Sequence, residues 1–157
     1  MCRDFSCKKQ ETVDNLNKTA IIDTTNNMDV AISLQYIGKI DIDIYRCITS
    51  DIDTDEVIIT DERIKHIKGH HPGHYEEIEP FMGIAVSGPA YILEDAANTG
   101  LILKQVDDEK VRMHIVLKVH TSTDIKGYKN SIISAWKISE SRWNSYLRNK
   151  KILYNRE

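Results

Sequence analysis

The stretch Val111-Arg112-Met113-His114-Ile115-Val116-Leu117-Lys118-Val119-His120 decides how the rest of the chain is read. Successive side chains of a strand point to opposite faces. Val111, Met113, Ile115, Leu117 and Val119 therefore make one apolar face, and Arg112, His114, Lys118 and His120 share the other with only Val116 among them. The apolar face belongs to a core. The opposite face is cationic where a solvated strand would mix signs, which points to a surface that meets an anion. On the N-terminal side, residues 91–93 and 101–106 read as two more strands, with turns at Asn98-Thr99-Gly100 and at residues 106–109; on the C-terminal side residues 131–138 make a fourth. Four strands joined by short turns predict an antiparallel meander.

Upstream the period changes. Ser87-Gly88-Pro89 is a break, and before it Ile78, Phe81, Met82 and Ala85 recur at helical spacing, predicting a helix over 75–86 that Pro80 shortens or kinks. Thr60 or Asp61 can cap an earlier helix over 61–70, with Asp61 and Glu62 at its positive end; Gly69 and Pro72 stop it. Val57-Ile58-Ile59 is a short apolar run, and Ile40, Ile42 and Ile44 alternate with Asp41, Asp43 and Tyr45 as a half-buried strand would, ending near Thr49. Beyond the meander, Ser139 can cap a last helix through Glu140, Trp143 and Leu147, and Ile152-Leu153-Tyr154 reads as an edge strand. Helices first and strands afterwards is an α+β layout. Residues 1–36, rich in Asn, Thr, Asp and Lys, read as a polar N-terminal extension, flexible or partly helical, and 37–157 as the folded domain.

A chain of 157 residues, 41% hydrophobic and 29% charged, fits one ordinary domain that buries roughly 70% of its unfolded surface. No apolar run approaches the ~20 residues of a membrane span, and the charged start has no apolar core after it, so the expected location is the cytoplasm. The three cysteines make no disulfide framework: Cys2 and Cys7 form no Cys-x-x-Cys pair, and Cys47 lies in an apolar run where a buried thiol is the usual outcome. The net charge of -3 hides an asymmetry. Residues 1–99 hold nine Lys and Arg against eighteen Asp and Glu, whereas 100–157 hold twelve against six, so the C-terminal third is the part suited to a polyanion.

Four of the six histidines, His66, His70, His71 and His74, fall within nine positions. Imidazole can both take and give a proton near neutrality. His66 and His70 share one helix face, a spacing zinc can use, but no His-Glu-x-x-His motif or third ligand at a fixed offset accompanies them. Acid/base use without a metal or other cofactor is thus the favoured reading; a polar helix end is the plainer one. In the cationic strand Lys118 is the candidate to stabilise charge on phosphoryl oxygens, and Ser134 is either a satisfied core hydroxyl or a phosphate donor. Neither a Gly-rich phosphate loop nor a Gly-x-Ser-x-Gly elbow is present.

The run 57–67 with His71-Pro72, then Ile115-Val116-Leu117-Lys118, then Asn130-Ser131-Ile132-Ile133-Ser134-Ala135, then Leu153-Tyr154, resembles the phage-associated nuclease domains grouped with barnase, EndoU, colicin tRNases and RelE (BECR-type), over about residues 45–154. That resemblance implies helices packed on a curved antiparallel sheet of four or more strands and a metal-independent endoribonuclease of phage, prophage or toxin type. Its catalytic residues would be His66, His71, Lys118 and Ser134, with His70 a rival to His71 and with Asn130 and Tyr154 accessory. One histidine would deprotonate a ribose 2′-OH and another protonate the leaving 5′-oxygen, giving cyclic phosphate ends. Arg112, His114, His120, Lys129 and Trp136 would contact RNA, and an inhibitor or immunity protein would be a further partner. The rivals are a non-catalytic RNA- or protein-binding module of the same fold and a metal-dependent hydrolase using His66, His70 and His74.

Overall fold

A computed structural model describes residues 33–156 except 107 and 109. The expectation for residues 1–32 lies outside the described residues. Strand β1 (Leu34–Lys39) crosses the expected boundary between extension and domain. It is followed by α1 (Ile42–Tyr45), β2 (Glu56–Thr60), α2 (Asp61–His70), α3 (His74–Ile78), a 3-10 turn (Glu79–Phe81) and α4 (Met82–Ser87). Then come β3 (Tyr91–Glu94), β4 (Thr99–Val106), β5 (Val111–Lys118), β6 (Asn130–Lys137), α5 (Glu140–Asn149) and β7 (Ile152–Asn155). The class is α+β. Among the described residues no helix is long and apolar enough to cross a membrane.

The strands among the described residues join one seven-stranded sheet ordered β1-β2-β6-β5-β4-β3-β7. The expected meander is its centre: β3, β4, β5 and β6 pair antiparallel in sequence order. The sheet as a whole is mixed, however, because β2 and β6 run parallel, at Val57 beside Asn130 and Ile58 beside Ser131. Parallel neighbours need a long crossover; here it contains α2 to α4 and three strands.

The two faces are covered differently. Met113, Ile115 and Leu117 of β5 join Ile102, Ile92, Val57, Ile59 and Ile132 beneath Ile64, Ile67, Tyr75, Ile78, Met82, Ala85 and Val86 of α2 to α4. The opposite face carries Leu93, Leu101 and Leu103, on which α5 lays Trp143, Tyr146 and Leu147. The period-2 reading of β5 thus assigned its apolar face correctly.

Local chemistry explains the helices. The Thr60 hydroxyl accepts from the Arg63 N–H at 3.3 Å to start α2, and the Ser139 hydroxyl accepts from the Arg142 N–H at 3.0 Å to start α5. Pro72 follows the end of α2 as expected, while the expected helix over 75–86 is three short pieces with Pro80 in the 3-10 turn between them. One expectation fails outright: Ile42 and Ile44 lie in α1, not in a strand. Asp41 decides this by accepting the Asp43 N–H at 3.0 Å, and the single helical turn drives Tyr45 into the core, where its hydroxyl donates to the Val86 carbonyl at 2.6 Å.

Candidate functional site

Past Ile58 and Ser131 the parallel pair diverges, because Thr60 turns the chain into α2. Among the described residues the later half of β6 consequently has β5 on one side and no strand on the other. The α2–α3 junction fills that position. The Lys137 backbone N–H donates to His74 Nδ1 at 3.1 Å, so an imidazole stands where a strand carbonyl would. The Lys137 ammonium also pairs with Glu77 of α3, which holds that carboxyl below its usual range.

This junction carries His71 round the sheet edge onto Trp136, with ring centroids 4.3 Å apart and planes 17° from parallel. On β5, His114 is directly opposite Trp136 in the ladder and stacks on it at 4.2 Å and 28°. The two imidazoles make no ring contact with each other, so the indole lies between them. Beyond His114 is Tyr146 of α5, whose hydroxyl hydrogen-bonds to His114 Nδ1 at 2.9 Å; beyond His71 is His74, at 5.4 Å between centroids. His66 and His70 complete the corner on exposed turns of α2, their rings 4.2 Å apart. His70 Nδ1 is 3.1 Å from the His66 carbonyl, to which it donates.

The protonation states follow from packing. His114 is only 4% exposed, and burial, reinforced by the positive charges of Lys150 and Arg142 and by His71, pushes its pKa down to about 4. It is therefore neutral at pH 7. Its Nδ1 shares a hydrogen bond with the tyrosine hydroxyl, and its Nε2 is buried without a hydrogen-bond partner. Desolvation lowers the pKa of His71, assisted by His74 and His70, and that of His66, assisted by His70 and Arg63. Partly uncovered neutral imidazoles in a locally positive field can accept protons and would be relieved by an anion.

Among the described residues no hydrogen bond, ion pair or ring contact joins any two of the expected quartet of His66, His71, Lys118 and Ser134. Lys118 lies on the α5 side of the sheet, whereas α2 packs its Ile64 and Ile67 on the other side. It is four residues from His114, roughly 13 Å along the strand, and its ammonium faces Asp124 at 3.9 Å. Ser134 shares the face of Trp136, two residues away and opposite Val116. Tyr154, on β7 opposite Ile92, is four strand spacings from β6, about 19 Å.

Several other candidates are occupied structurally. Buried Asn130 accepts from the His120 N–H at 2.7 Å and donates to the Thr54 and Glu56 carbonyls at 2.8 and 3.0 Å. His120, also buried, donates from Nε2 to the Ile125 carbonyl at 2.8 Å and has Nδ1 3.1 Å from Asp53. Lys129 pairs with Glu56, and Arg112 with Glu140 at 3.8 Å. Trp136 has its faces covered by imidazoles and offers no open platform to a base. His66, His70 and His74 do not converge as ligands, and no group of three or more His, Cys, Asp or Glu suited to a metal ion occurs among the described residues.

Tyr146, Arg142 and Lys150 were not singled out from sequence. The signal for Tyr146 was the spacing of Trp143, Tyr146 and Leu147 along one face of α5. No family model, curated protein or solved structure matches the chain.

Proposed function

We propose that this chain is a cytoplasmic RNA-binding domain whose contact surface is the histidine corner. The observation that carries this reading is the gathering of His66, His70, His71 and His74 at the sheet edge, next to the stack that Lys150 and Arg142 make electropositive. A phosphate offsets that repulsion, and the exposed imidazoles can stack on a base. The test is titration of labelled single-stranded RNA at fixed salt into the wild-type chain, His71→Ala and the double variant Arg142→Glu/Lys150→Glu. Affinity should fall about tenfold for the first, a loss of about 1.4 kcal/mol, and further for the second. Equal affinity in all three would remove the site.

A second reading, endoribonuclease, is favoured by one further observation: His66 and His71 are both held below the ordinary imidazole pKa and keep ring nitrogens free of hydrogen bonds among the described residues. A neutral imidazole can remove a 2′-OH proton, and a neighbour in its protonated form can protonate the leaving oxygen, giving cyclic phosphate ends without a metal. Lys118 has no part in this version, and charge on the phosphoryl oxygens falls to the helix-end cations. Cleavage of RNA in EDTA by the wild type and its loss in both His66→Ala and His71→Ala would establish it. The BECR-like fold belongs to the same proposal. The helix-then-meander order supports it, while the parallel β2–β6 pair is an addition to the expected sheet.

A further inference from the structure

Two loops meet at the end of the β5–β6 pair away from the histidine corner: residues 46–55, which lead from α1 to β2, and residues 119–129, which join β5 to β6. The Asp53 N–H donates to the His120 carbonyl at 3.0 Å, and the Ser122 hydroxyl and N–H donate to the Asp51 carboxylate at 2.7 and 3.2 Å. Asp124 accepts the Thr121 N–H at 2.9 Å and faces Lys118. The Asp53 carboxylate, by contrast, lies 3.1 Å from His120 Nδ1. That imidazole is only 2% exposed, with the Tyr128 ring edge-on to it. Its Nε2 faces the Ile125 carbonyl at 2.8 Å, and because a carbonyl only accepts, Nε2 carries the hydrogen. In an uncharged imidazole the other nitrogen is then a lone pair. Here Nδ1 is buried and has no hydrogen-bond partner among the described residues. A lone pair and a carboxylate oxygen this close repel each other unless an electron-pair acceptor lies between them.

We propose that His120 Nδ1 and the Asp53 carboxylate bind a divalent cation of the zinc class, which ties the two loops together. Zinc bonds to imidazole nitrogen and carboxylate oxygen are about 2.0–2.2 Å long, so two such ligands about 100° apart on one ion are about 3.2 Å from each other. The observed separation is that bite. A hydrogen bond from the second ring nitrogen to a backbone carbonyl is also the outer contact that fixes the tautomer and ring plane of a metal-bound histidine. Asp51 and Asp124, bonded to the residues that directly follow His120, add negative charge against the single ammonium of Lys118. Both are already held by Ser122 and Thr121, so the protein supplies two ligands and water the remainder, entering past Asp53, whose side chain is 44% exposed. The imidazole nitrogen favours zinc and its transition-metal neighbours over magnesium and calcium, which prefer oxygen alone.

The test uses the full chain with Cys2 and Cys7 replaced by serine, so that their thiols do not compete for metal. Zn²⁺ at about 100 μM should raise the midpoint of thermal unfolding above that in EDTA by about 5 °C. In Asp53→Asn, a change at a partly exposed position, the carboxamide can donate to Nδ1 in place of the cation. This variant should keep the parent circular dichroism, melt no lower than the parent in EDTA, and lose the response to zinc. Co²⁺ gives a readout that needs no variant: its paramagnetism should shift the amide resonances of residues 51–54 and 120–124 before those of the histidine corner. His66→Ala/His70→Ala, which removes the exposed pair on α2, should retain both effects. The proposal fails if zinc leaves melting unchanged, if Asp53→Asn still responds, or if the response disappears with His66 and His70 instead. It fails too if Asp53→Asn melts lower than the parent in EDTA and NMR shows His120 as an imidazolium, because a proton then joins the pair and no cation is needed.

Discussion

The two ends of the β5–β6 pair carry similar residues and put them to opposite uses. At the end holding Lys118 and Asn130, the side chains that sequence singles out are held by structural partners: Asn130 ties three backbone groups, His120 donates to the Ile125 carbonyl with Asp53 beside its other nitrogen, and Lys118 faces Asp124. At the end holding His114 and Trp136, the histidines of the α2–α3 junction are stacked but leave ring nitrogens open. Residue type does not separate a site from a clamp. The fate of the hydrogen-bonding groups does.

The largest way to sharpen this contrast is Asn130→Ala. It leaves the His120 N–H and the Thr54 and Glu56 carbonyls without their partner, and at about 1–3 kcal/mol for each buried unsatisfied group the loss should be about 4 kcal/mol in urea denaturation. RNA affinity of the folded protein should be unaltered. A loss below about 1 kcal/mol would mean that the closed end is not closed.

Next in size is the pH dependence contributed by His114. Its folded pKa of about 4 lies below the ordinary 6.5, so between those values the unfolded chain binds more protons. Stability is therefore full above about pH 6.5 and falls as pH drops towards about 4, by about 3 kcal/mol at 1.36 kcal/mol per unit. Comparing denaturation midpoints of wild type and His114→Phe at pH 7 and pH 4.5 checks this. The variant should show the smaller acid loss.

His71→Ala should cost less than about 1 kcal/mol of stability, since it removes one face of a partly exposed stack, and yet weaken RNA about tenfold. Its binding curve should also lose the gain in affinity that wild type shows as pH falls from 7 to 6, where phosphate would draw a proton onto the imidazole. Lys118→Ala is the smallest: less than about 0.5 kcal/mol, as for a partly exposed pair, and no change in RNA affinity. A tenfold loss in this variant would return Lys118 to the site and break the division between the two ends.

What could be read in advance follows the range of the forces involved. α2 was legible because Thr60, Asp61 and Pro72 mark its ends within a few residues, and the meander because its turns are local. α1 was not, since isoleucine at every second position is shared by a strand and by a short capped turn, and Asp41 decides between them only through its hydrogen bond. The parallel neighbour of β2 was illegible for a different reason. Its partner is some seventy residues away, and no adjacent turn announces it. The same limit shaped the site. Alternation in β5 gave the right face for Lys118 but says nothing of where α2 lies, and the dense histidines were visible while Tyr146, supplied by a later helix, was not.

The indole held between two imidazoles also gives the molecule a built-in optical signal. A protonated imidazole quenches a neighbouring indole, whereas the second tryptophan, Trp143, lies in an apolar cluster with Tyr91 and Leu147. Emission from the unmodified chain should accordingly dim when His71 takes up a proton, so a bound phosphate that draws a proton onto His71 can be followed by fluorescence without any attached dye.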